Sequence, residues 1–156
     1  ATSAYMTGIR DYRGFDDKQG WRHAVAHTSD LVMQLALNPA VDKAQLDLLL
    51  DATTAQIGIT EHSYIHGEPE RLLRAVLYIA KRDVHAEKDW QDWMENLLKP
   101  APLAKWDDAF TSSKGLAKRH NLQAFLLLLH ANTLQTEDKN WKLLNRLSFE
   151  ALKKLP

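Results

Sequence analysis

Residues 11–30, DYRGFDDKQGWRHAVAHTSD, set a charged turn bounded by Gly14 and Gly20 in front of a segment carrying His23, His27 and Asp30. At about 100° per residue these three side chains fall within about 60° of one another on a helix. Trp21, Ala24, Val25, Leu31, Val32 and Leu35 gather on roughly the opposite side. The histidines therefore point away from the main packing stripe, and the stretch reads as the start of an amphipathic helix spanning about 18–37. Asn38-Pro39 stops it.

Outward from this helix, the chain repeats the same kind of element. Residues 1–10 read as the end of a helix halted by the DYRG turn, with Gly14 free to take a positive φ. Asp42 followed by Gln45 is a capping-box signature, and the helix it opens carries Leu46, Leu48, Leu49 and Leu50 as far as Gly58. Residues 59–67 form a connection with room for one helical turn. Pro69 suits the first turn of a helix reaching Lys81, with Leu72, Leu73, Val76 and Ile79 as its buried stripe. Trp90, Trp93, Met94 and Leu97 stand at i, i+3, i+4 and i+7 in 86–98. KPAP at 99–102 breaks that helix, and a short one follows at 106–110. The helix expected over 116–134 holds the longest apolar run and is predicted to be the most buried, and a last helix covers 138–154.

No stretch alternates convincingly as a strand. The fold class is therefore all-α. Short links favour antiparallel neighbours, and helix pairs spaced by about 40 residues suit an irregular α-solenoid of helical hairpins, HEAT- or armadillo-like; a closed helical bundle is the alternative.

The 156 residues suit one domain with a substantial core. Twenty basic residues against twenty acidic ones give zero formal charge, which argues against nucleic acid as partner. No apolar run approaches the ~20 residues of a membrane span. Without cysteine there is no disulfide, thiolate site or cysteine nucleophile. The compartment expected by default is the cytoplasm, with periplasm and secretion open. Ala1 in place of an initiator methionine suggests a processed chain or a piece of a longer one.

Asp11-Tyr-Arg-Gly-Phe15, then Gly20-Trp-Arg-His23, Ala26-His27 and Asp30, resembles the signature of a family of bacterial domains of unknown function, D-x-R-G-aromatic followed by G-W-x-H-x-x-A-H-x-x-D. Gly67-Glu68 with Glu70-Arg71-Leu72, and Asn121 to Leu127, are weaker echoes; Thr28 and Ser29 depart from the small residues expected between His27 and Asp30. The resemblance implies a HEAT-like helical fold and a shared polar site. It brings no activity, substrate or cofactor.

His23 and His27 have the i, i+4 spacing at which two imidazoles reach one ion, and Asp30 would add a carboxylate, a ligand set suited to zinc or another divalent metal. Ala24 stands where the general-base glutamate of H-E-x-x-H would be. The plainer reading, which ranks above it, is a hydrogen-bonded network tying helix to turn, with Arg13 pairing an acid. His62 and His66 repeat the spacing in a connector and would join the first pair only if the chain folds back. Arg13 could clamp a small anion, although Asp11, Asp16 and Asp17 compete for it. The site residues expected are thus Arg13, His23, His27 and Asp30. The leading functional reading is a binding or scaffolding module for a protein or small-molecule ligand, followed by a metal-dependent hydrolase on His23, His27 and Asp30, and then an anion-binding protein using Arg13.

Overall fold

A computed structural model describes residues 1–156. Its helices are α1 (Thr2–Gly8), α2 (Ala24–Leu37), α3 (Lys43–Ile57), α4 (Glu68–Lys81), α5 (Glu87–Leu97), α6 (Ser113–Thr133) and α7 (Lys139–Lys154), with a 3-10 helix over Trp106–Thr111. The capping box forms as the residue types dictate: Asp42 accepts from the Gln45 amide and Gln45 returns the bond to the Asp42 amide.

Expectations need correction in two places, the hairpin and the core. The chain is not free of strand, because Phe15–Asp16 (β1) and Gly20–Trp21 (β2) pair antiparallel, Phe15 opposite Trp21. Asp16 builds the turn by accepting the amides of Lys18 and Gln19, and Gly20 takes the left-handed φ of 72°. Helix α2 accordingly begins at Ala24 rather than near Lys18. Gly14 has no positive φ; its lack of a side chain serves a close approach instead.

The second correction concerns the core. The central helix is α4, not α6: nine of its fourteen residues are buried, and it packs against α2, α3, α6 and α7. Leu72, Leu73, Val76 and Ile79 form its stripe as the periodicity predicts. Helix α6 is half solvated, with Leu126 fully buried and Leu127 on the surface. The buried apolar side chains form one continuous cluster drawn from all seven helices.

Polar side chains tie the helix ends together. Arg82, just past α4, donates to the carbonyls of Ala36, Asn38 and Val41, satisfying acceptors that the end of α2 leaves open. Asn121 is fully buried and clamps the 59–67 connection at three points: its Oδ1 accepts the Tyr64 amide at 2.8 Å, and its Nδ2 donates to the carbonyls of His62 and Ile59. That clamp fixes the segment leading into α4, and with it one wall of the site. Thr28 and Ser29 are buried in α2 because each hydroxyl donates back to the carbonyl four residues earlier, Ala24 and Val25. They pack as the small residues expected at those positions.

Candidate functional site

The DYRG segment runs back along the start of α2. The amides of Arg22 and His23 donate to the carbonyls of Gly14 and Arg13 at 2.8 and 3.0 Å, extending the hairpin register by two residues. His23 is the residue before the helix and sits in the left-handed region, φ 43° and ψ 39°. Such a conformation costs on the order of 1 kcal/mol for a residue with a β-carbon. It is held by bonds on both sides, since the His23 carbonyl also accepts the His27 amide. The result turns the imidazole inward, and His23 is buried.

What it meets is Glu68, the first residue of α4, almost entirely buried. The carboxylate is anchored through Oε2, which accepts the His66 amide at 2.9 Å. Its other oxygen lies 3.2 Å from His23 Nε2, within ion-pairing distance but out of hydrogen-bond alignment. Consequently His23 Nε2 and Glu68 Oε1 face each other without a directed bond, and the nearby Nδ1 of His66 also has no partner. Buried polar atoms are satisfied in the great majority of cases, so a concentration of exceptions marks the place as unusual. The Glu68 carboxylate, in the first turn of α4, gains from the positive end of that helix.

The rest of the site is aromatic. Trp21 covers His23 with ring centroids 4.7 Å apart, meets Phe15 edge-on at 5.2 Å and His66 edge-on at 5.9 Å. Trp21 is nonetheless 59% exposed. His27 continues the surface, its ring 6.0 Å from His23, and borders a shallow depression with Tyr5 and Leu31.

Of the four residues expected to meet, His23 and His27 lie side by side. Arg13 and Asp30 take other partners. Arg13 folds onto its own turn in a two-pronged pair with Asp11, which holds the Asp11 carboxyl down at about 2, chiefly through the guanidinium hydrogen bond. Asp30 pairs with Arg71 of α4. A ligand set of His23, His27 and Asp30 is therefore not assembled, and no three His, Asp or Glu side chains converge so as to hold a metal ion. His66 does fold back beside the first pair, 6.4 Å from His23, whereas His62 stacks with Tyr12 instead.

Glu68 is the member that spacing in the first segment does not reveal. Its signals are an acid in the first turn of a helix, straight after Gly67, and its place in one of the weaker echoes of the signature.

The chain belongs to the family described as Protein of unknown function (DUF2785), whose family model matches residues 1–131. That span contains the hairpin, α2, the connection and α4, and so every residue of the site. No curated protein and no solved structure matches the chain.

Proposed function

We propose that this DUF2785 protein is a helical-repeat binding module, a single domain that captures a peptide segment of a partner protein on the aromatic surface over the His23–Glu68 pair. The repeat reading draws on the packing of α1 on α3, α2 on α4, α4 on α6 and α5 on α7, the alternate-helix contacts of a two-layered solenoid, beside the consecutive pairs α3–α4 and α6–α7 expected within helical hairpins. The observation that carries the binding reading is Trp21, exposed over more than half its surface while one face is fixed by Phe15, His23 and His66. A rigid, amphipathic aromatic offers contact area at little entropic cost, which is why tryptophan anchors so many interfaces. Tyr5, Phe15, His27 and Leu31 are exposed alongside it and form no enclosed cavity, which suits a peptide better than a small molecule.

The test is a selection of displayed peptides against the wild-type protein, followed by affinity measurement with Trp21→Ala and Phe15→Ala. Enriched peptides that lose about tenfold or more in affinity with either variant support the reading, on the scale of an interface anchor. Peptides that bind all three proteins equally would overturn it. Added zinc that raises the melting temperature of the wild type and not of His23→Ala, through binding to the folded state alone, would favour the metal reading in its place.

A further inference from the structure

A cleft that shares no lining residue with the surface around Trp21 has chemistry of its own. It measures about 470 Å³ and lies between α1, the C-terminal end of α3, the link at 58–61, the 99–102 loop and α6. That volume is in the ordinary range for small-molecule sites. Lys118 of α6 lines it and is only 6% exposed. A lysine so buried ordinarily has a carboxylate beside it. Lys118 has none: its ammonium reaches the Gly58 carbonyl at 3.5 Å, the outer limit of a hydrogen bond, and rests 5.7 Å over the Trp106 ring. Burial pushes its pKa down, with no anion opposing the shift.

The surroundings add positive charge. Arg10 and Lys99 line the same cleft, against a single carboxylate, Glu61. Arg10 uses one terminal nitrogen on the carbonyls of Thr7 and Ile9, and its guanidinium also lies beside the Tyr12 hydroxyl. Glu61 is turned toward the backbone, accepting the Thr60 amide at 3.1 Å. Gly58 is part of the arrangement, because a β-carbon there would stand 3.2 Å from the Lys118 ammonium, crowding it.

We propose that this cleft binds a small anion through charged oxygens, a phosphate or a carboxylate group, with the Lys118 ammonium as its deep contact and Arg10 and Lys99 at its rim. Charge-assisted bonds from ammonium and guanidinium are the strongest that such a group finds in a protein, and an anion would supply the counter-charge that Lys118 lacks. Capping the carbonyls of α3 is a role that a surface lysine fills equally well; it requires neither the burial nor the companion cations.

Calorimetric titration of the full chain with inorganic phosphate and with acetate, at ionic strength matched by chloride, tests this. Saturable binding of either ion is expected, and which of the two binds more tightly identifies the group. Lys118→Met should weaken it by at least about tenfold and Lys99→Ala by about threefold, one charge-assisted contact being lost in each case. If Lys118→Met does not fold, the paired rim variant Arg10→Ala/Lys99→Ala carries the test, with a loss of about tenfold expected. No saturable binding by the wild type, or equal binding by wild type and a folded variant, would overturn the proposal. So would retained α3 capping effects, seen as a lowered melting temperature of Lys118→Met, without any change in ion affinity.

Discussion

The imidazole of His66 lies against the α-carbon of Gly14 so closely that a β-carbon there would stand 2.7 Å from the His66 Cβ and nearer still to the ring. The DYRG turn and the connection before α4 are thus in direct contact, and the contact leaves no room for any residue but glycine. Gly14→Ala should cost about 1 to 3 kcal/mol by overpacking. Adding His66→Ala, which removes the two closest contacts, should recover part of that loss in a denaturant double-mutant cycle. Strict additivity of the two substitutions would refute the contact.

Glu68 accepts the His66 amide and faces His23 from a buried position. Glu68→Ala should destabilise the protein by about 1 to 3 kcal/mol, because a buried donor loses its acceptor. Glu68→Gln keeps an acceptor oxygen and should lose less. Urea unfolding of the three proteins decides the order; a Gln variant as damaged as the Ala variant would show that the charge, not the acceptor, matters.

Asn121 makes three hydrogen bonds to the 59–67 connection from a fully buried site. Asn121→Ala should cost roughly 2 to 4 kcal/mol, several backbone groups being left without partners at once. Hydrogen exchange should locate the damage at Tyr64, whose amide loses its acceptor. Unchanged protection there would contradict the clamp.

Neighbouring leucines on α6 should behave differently. Leu126 is fully buried and Leu127 is 51% exposed. Leu126→Ala should cost about 2 to 5 kcal/mol, and Leu127→Ala less than about 1 kcal/mol, as surface substitutions do. Equal losses would mean that the helix is rotated from the orientation described.

Asp11 should titrate by NMR at about 2 in the native protein and return toward the ordinary 3.8 in Arg13→Ala. A lowered carboxylate pKa stabilises the fold above the unfolded value, and that contribution disappears as pH falls from 3.8 toward 2. The pair is well exposed, so its effect on stability is small and the titration itself is the measurement. An Asp11 midpoint unaffected by removing Arg13 would disprove the pairing.

Helices with a strong apolar period or a capping pair were legible in the sequence, since burial and capping act within a few residues: α4, α5 and the Asp42–Gln45 start of α3 follow directly from residue type. The hairpin at 15–21 was not, because two-residue strands leave no alternation to read and the turn depends on Asp16 reaching two amides. Helix α6 departs from its expected rank for a different reason. LLLL is apolar all round, yet a helix can bury only the sides that other helices cover, and Leu127 faces none. At the site, spacing along one helix brought out His23 and His27 but could not supply Glu68, whose contact with His23 arises only from the docking of α4 on α2. Nor could it foresee that Arg71 would take Asp30, whereas Asp11 was already among the acids of the turn that compete for Arg13.

The pairs His23–Glu68 and Asp30–Arg71 join segments more than forty residues apart in the chain. Contacts of such long sequence separation form only after the intervening loop has closed. The site therefore exists only while α2 and α4 are docked, and it is lost when they separate. A state that kept its helices and lost their docking would look nearly native by far-ultraviolet dichroism, yet its His23 ring resonance would already report an unfolded molecule.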